Sequence, residues 1–201
     1  MDPNDDVDRS EAVAPARSAR ERMLAGEPRQ ADRYDAELSA LFLKARELVA
    51  AYNRASAVDG AGLRTILTQL LGSVGEGVEI RQPLFVDFGA HITVGARTFV
   101  NSGLTALDVA PITIGEDVLL GPNVQLLTPT HPLEAEARRA KWETGRPITL
   151  GNNVWLGGGV IVVPGVTIGE NTVVGAGAVV TRNLPAGVLA VGSPARVIRR
   201  L

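Results

Sequence analysis

Between residues 148 and 180 apolar side chains return at every sixth position: Leu150, Leu156, Val162, Ile168, Val174 and Val180. Two positions before each stands a second small or branched residue, namely Ile148, Val154, Val160, Val166, Thr172 and Ala178. Between the pairs lie GNN, GEN and GAG, residues that turn a chain and accept positive φ at little cost. A helix repeats every 3.6 residues and a lone strand every two, so neither produces this pattern. A period of six fits one short strand plus one corner, with inward residues stacked on those of the coils above and below. Three such sides close a triangular coil of about 18 residues. The same pairs recur at Ile112/Ile114, Val118/Leu120 and Val124/Leu126, and less regularly at Ile92/Val94, Thr98/Val100 and Leu104/Ala106. Aromatic residues make up only 4% of a chain that is 45% hydrophobic, as suits a narrow interior of Val, Ile, Leu and Ala. Each buried Val or Leu contributes roughly 1.5–3 kcal/mol, so the stack gains stability coil by coil. The expected fold is mainly β, a parallel β-helix of hexapeptide repeats.

The rhythm is absent at the N-terminus and breaks once later. Residues 1–16 mix acidic residues with Ala, Pro and Arg and are expected to be disordered. Residues 17–74 read as a helical segment: a short helix over Ser18–Ala25, a longer one from the N-cap Asp35 to about Arg54, and a third after Asp59 ending at Gly72. Leu38, Leu41, Phe42, Ala45, Leu48, Val49 and Tyr52 form one apolar stripe of the second helix, which must be buried against the β-helix of residues 75–201. Inside that domain residues 127–147 form an inserted loop, and TPTHPL within it carries His131, one of two histidines.

Composition removes several classes of function. A formal charge of −2 gives no case for binding nucleic acid or an anionic membrane surface. The absence of cysteine excludes disulfides, thiol catalysis and thiolate-held zinc. Two histidines cannot build a three-histidine zinc site from one chain, so no metal is expected. No apolar run is long enough to span a membrane and the N-terminus lacks a secretory pattern, so a cytoplasmic location is expected.

Repeats specify architecture, not activity; the sequence around them is more specific. MLAGE, LFVDFGAHITVG, FVNSGLTALDVAPITIG, TPTHP, RPITLGNNVWLGGGVIVVPGVTIG and VGSPARVIRRL, in this order, resemble the maltose and galactoside O-acetyltransferase family from about residue 20 to the C-terminus. The resemblance implies a left-handed β-helix, a homotrimer with active sites between adjacent prisms, and acetyl-CoA as acetyl donor. It matches His131 to the family's catalytic histidine and Asn101 to an asparagine lining the acceptor and thioester end of the cleft. Asp87 matches a sugar-contacting position, and Asp108 sits in the motif shaping the same pocket. Gly158 and Ala176 match places along the pantetheine, while Thr181, Arg182, Arg196 and Arg199 match residues near the adenine and phosphates. The chain departs from the pattern at Ser102 and Gly103, and at Pro28 and Arg29 where relatives carry Leu-Tyr. These departures fall at the acceptor and leave its identity open.

Acetyl transfer to an alcohol needs a base for the hydroxyl proton, and imidazole, with an ordinary pKa of about 6.5, suits that near neutrality. The tetrahedral intermediate needs a donor for its oxyanion, which the resemblance places at a backbone N–H near Gly158, where galactoside enzymes carry a serine. His91, next to the inward Ile92, is expected to point outward and be inert. Asp32 and Asp35 could reach the acceptor, with N-capping the simpler role for Asp35. Trp155 should lie outward on a prism face as a subunit or cleft contact, and Trp142 should pin the inserted loop against a face, with stacking on the substrate as its other reading. Arg196, Arg199 and Arg200 read either as a solvated tail or as phosphate ligands. The reading is an acetyl-CoA-dependent O-acetyltransferase acting on a sugar or sugar-like hydroxyl. A non-sugar acceptor such as serine or an antibiotic, and a silent trimeric scaffold, remain the alternatives.

Overall fold

The computed structural model describes residues 17–31 and 35–201, so the expected disordered stretch 1–16 and Asp32 lie outside the described residues. From Ser73 onward, short strands wind into a parallel β-solenoid with three faces. The first face stacks Ser73–Val74, Ile92–Val94, Ile112–Ile114, Ile148–Leu150 and Thr167–Ile168. The second stacks Glu79–Ile80, Phe99–Val100, Leu119–Leu120, Trp155–Leu156, Val173–Val174 and Val188–Val191, and ends on the antiparallel strand Arg196–Arg200. The third stacks Leu84–Val86, Leu104–Leu107, Gln125–Leu127, Ile161–Val162 and Val179–Val180.

Every inward pair named from the six-residue period is no more than 3% exposed. Side chains of one kind stack in register, as in Ile92, Ile112 and Ile148, or Val94, Ile114, Leu150 and Ile168. Two threonines stand in this apolar column and satisfy their hydroxyls at once, Thr98 donating to the Gly115 carbonyl and Thr172 to that of Pro185. Corners are turned by left-handed residues such as Asn153 (φ 55°) and Asn171 (φ 57°), whose side-chain amides bond to each other at 2.9 Å.

The helices form where their caps predict. Ser18 and Glu21 make a capping box on α1 (Ala19–Leu24), Asp35 caps α2 (Ala36–Arg54) and Asp59 caps α3 (Gly60–Leu70). α2 and α3 close the first coil: Tyr52 is fully buried with its hydroxyl donating to the Ile80 carbonyl, and the Asn53 amide bonds both backbone groups of Leu84. A second, smaller core gathers Met23 of α1, Leu38 of α2, and Phe88 and Val109 of the solenoid.

That covering corrects the expectation for His91. It does leave the prism, yet it is only 6% exposed, because α1 lies over its corner and Arg20 donates to its Nε2 at 3.2 Å. Three elements have no periodic signature. The inserted loop holds strands Pro129–Thr130 and Trp142–Gly145 with α4 (Ala135–Arg139) between them, and its second strand pairs with Arg29–Gln30 from the N-terminal segment. The solenoid then resumes in register, Ile148 opposite Ile112. The C-terminal arginines form a paired strand, with Arg199 opposite Leu189. No helix among the described residues is long and apolar enough to cross a membrane.

Candidate active site

The inserted loop leaves the prism at the corner between the third and first faces. There the antiparallel sheet of residues 29–30, 142–145 and 129–130 stands off the solenoid. Gly145 ties it down: a Cβ at this position would sit 2.8 Å from the Ala110 Cβ and 3.1 Å from the Val109 Cγ1, so only glycine permits the approach. His131 follows the first loop strand and lines a groove of about 420 Å³ with Pro28, Leu133, Trp142, Glu143 and Arg146. Trp142 faces this cleft and is 38% exposed. Its carbonyl oxygen lies 3.0 Å from His131 Nδ1. A carbonyl can only accept, so Nδ1 carries the proton and the imidazole lone pair is on Nε2.

Behind the loop lies a cluster of charge. Asp108 is fully buried, and its carboxylate accepts from the backbone N–H groups of Asp87, Phe88 and His91 at 3.1, 2.8 and 3.2 Å. It thus folds the corner that presents Asp87. His91 Nδ1 donates to the Asp108 carbonyl at 2.8 Å while Nε2 accepts from Arg20, which is a neutral imidazole; burial lowers its pKa further. The Asp87 carboxyl is pushed up to about 6, first by burial, then by the negative charges of Asp108 and Glu143, with Arg29 opposing. Arg29 and Glu143 form an ion pair between the N-terminal strand and the loop strand, with side chains 14% and 9% exposed.

The other sequence-predicted residues stand elsewhere. Asn101, Gly158 and Ala176 lie on the corner between the second and third faces, with the turn at residues 121–123 between the first two, a full side of the prism away from the loop. Gly157 and Gly159 give their N–H groups to Val174 and Pro122, and Asn101 Oδ1 accepts from Ser102 N at 2.8 Å. Thr181 and Arg182 lie on the loop's own corner, beyond Val180, and Arg196 and Arg199 on the terminal strand. One chain thus holds a His131 half and an Asn101–Gly158–Ala176 half without joining them. Sequence reasoning missed Glu143 altogether, and noted Arg29 only as a departure.

Residues 22–75 match the maltose acetyltransferase hexapeptide capping motif, and residues 147–182 match the bacterial transferase hexapeptide (six repeats). Nodulation protein L of Rhizobium meliloti is 45% identical over 181 residues, which span 90% of this chain and 98% of that protein. The chain belongs to the maltose and galactoside O-acetyltransferase family. Solved structures agree with that membership. A maltose O-acetyltransferase from Clostridium difficile superposes with a TM-score of 0.89 at 41% identity, covering 92% of this chain and 98% of its own. A hexapeptide-repeat acetyltransferase from Vibrio cholerae in complex with acetyl-CoA gives 0.83 at 38% identity, covering 90% and 97%. As a member of this acetyltransferase family the protein is an enzyme with the family's left-handed β-helix.

Proposed function

We propose that the protein transfers the acetyl group of acetyl-CoA to a hydroxyl of a sugar or sugar-like acceptor, with His131 as general base. The observation that carries this reading is the bond from His131 Nδ1 to the Trp142 carbonyl, which leaves a basic Nε2 in an open groove beside Glu143. The acceptor oxygen attacks the thioester carbon as its proton passes to Nε2. The resulting oxyanion is held by a backbone N–H, and that of Gly158 is the candidate because its neighbours' are used within the corner. Collapse breaks the carbon–sulfur bond, and the imidazolium returns its proton to the departing thiolate. Asp87 accepts a hydrogen bond from an acceptor hydroxyl. Asn101, Gly158 and Ala176 run along the pantetheine, with Thr181, Arg182, Arg196 and Arg199 toward the adenine and phosphates.

The two half-sites meet in a homotrimer, where the His131 loop of one subunit closes on the Asn101 corner of the next. A head-to-tail contact of this kind forms a ring when the rotation closes. The second face offers a surface for it: Phe99, Leu119, Trp155, Val173 and Leu189 align in register down its outer side, with Leu119 46% and Trp155 51% exposed. The relatives named for maltose and galactoside acetylation support the sugar, and use of acetyl-CoA fits a cytoplasmic enzyme.

The test follows thiol release from acetyl-CoA, for which a protein without cysteine gives no background. Maltose, a galactoside, glucosamine and serine are supplied in turn. Replacing His131 with Ala should lower turnover about 10²–10⁴-fold with CoA affinity unchanged. Unchanged turnover refutes the base, and turnover with serine alone refutes the sugar.

A further inference from the structure

The reaction outlined above assigns no work to Arg29, yet the fold spends much to place it. Its side-chain nitrogens are buried. It stands opposite Glu143 in an antiparallel pairing and forms an ion pair with that residue. The next positions continue the brace: Gln30 lies opposite Trp142, its side chain donates to the Ala140 carbonyl at 3.0 Å, and Ala31 N donates to the Lys141 carbonyl at 2.8 Å. The braced strand is the one whose Trp142 carbonyl receives the His131 Nδ1 proton. Arg29 also acts on Asp87, as a positive charge opposing the negative charges of Asp108 and Glu143 there.

We propose that Arg29 is a positioning residue of the active site: its ion pair with Glu143 holds the strand that orients His131, and its charge offsets the negative charge gathered behind that strand. The inference rests on the reading of His131 as base. A guanidinium suits the task because it remains charged when buried, and its planar fork fixes a carboxylate in direction as well as distance. Segment 28–31 thereby becomes part of the acceptor half of the site, although more than 50 residues separate it from any other residue there.

The experiment reads both effects by NMR, without needing turnover. Long-range ¹⁵N correlation of the two imidazoles reports the His131 tautomer, and Asp labelled with ¹³C at Cγ reports the Asp87 midpoint, assigned by its loss in Asp87→Asn. In the unaltered protein His131 is the Nδ1–H tautomer and Asp87 titrates at about 6. Arg29→Met should mix the two tautomers and raise the Asp87 midpoint by on the order of one pH unit. Glu143→Gln, which removes the opposing charge at nearly constant volume, should move that midpoint down. Mere loosening of the loop would admit water and lower it in both variants, so opposite displacements mark the role of charge. The proposal is overturned if Arg29→Met leaves the tautomer or the midpoint unchanged, or if both variants move the midpoint the same way. Should Arg29→Met fail to fold, Arg29→Gln takes its place under the same readings: a mixed tautomer with a raised midpoint supports the proposal, and an unchanged tautomer or a midpoint that stays or falls overturns it. Retained turnover in His131→Ala would remove the base assignment instead, an outcome separate from these readings.

Discussion

Asp87 holds its charge where burial and two neighbouring carboxylates make charge costly, and the cost has a sign. Its folded-state pKa of about 6 lies above the ordinary 3.8, so the folded protein binds this proton more tightly than the unfolded chain does. The associated stabilisation is fully present below about 3.8 and is lost as pH rises through 6. Asp87→Asn, a permanently neutral isostere, should therefore be more stable than the parent at pH 8, by on the order of 1 kcal/mol. The two should approach each other about two pH units lower than the ordinary 3.8, where the aspartate is neutral folded and unfolded. Urea unfolding at the two pH values checks this, and the same variant should show a raised acceptor KM with CoA binding intact. That pair of outcomes, a stronger fold and a weaker reaction, would mark Asp87 as a residue retained for chemistry. Its sequence context offered only a motif match, since neither Glu143 nor Arg29 is near it in the chain. His91 shows the same limit: periodicity placed it outside the prism, but whether outside means solvent or a helix depends on contacts no local pattern encodes.

At the scale of elements, legibility follows the range of the forces that form them. The solenoid strands were readable because each inward residue repeats six positions on, and the helices because Ser18, Asp35 and Asp59 satisfy backbone N–H groups within one turn. The strand Arg29–Gln30 has two residues, no period, and a partner in residues 142–143; nothing near it in sequence announces it. The loop sheet it completes depends on close approach at Gly145. Gly145→Ala would place a methyl into Ala110 and Val109 and lift the strand that carries the Trp142 carbonyl. A displacement of about 1 Å at a catalytic group costs on the order of 100-fold in rate, whereas the solenoid core is untouched. Turnover should thus fall about 100-fold while the thermal midpoint falls by only a few degrees, about what 1 kcal/mol produces in a domain this size. An equal loss of both in parallel activity and calorimetry would show the loop to be integral to the core.

For the whole molecule, the separation of the half-sites onto two corners predicts complementation. His131→Ala and Asn101→Ala, each inactive alone, are mixed in equal amounts, unfolded and refolded together. If the site lies between copies, a productive interface needs its histidine from one variant and its asparagine from the other, which happens at about one interface in four. Recovery of about a quarter of parental activity is expected, and no recovery would place the whole site within one chain. The N-terminal brace has a further consequence, one of timing. Arg29 leaves the ribosome more than 100 residues before Glu143, which at about 5–20 residues per second is a wait of several seconds or more. During that interval the early coils can form while His131, the Trp142 carbonyl and the buried charge pair do not yet exist together. A nascent chain stopped anywhere before the loop strand can be folded in part, but it carries no complete His131 groove. The groove is therefore completed only once about half of the solenoid has been made.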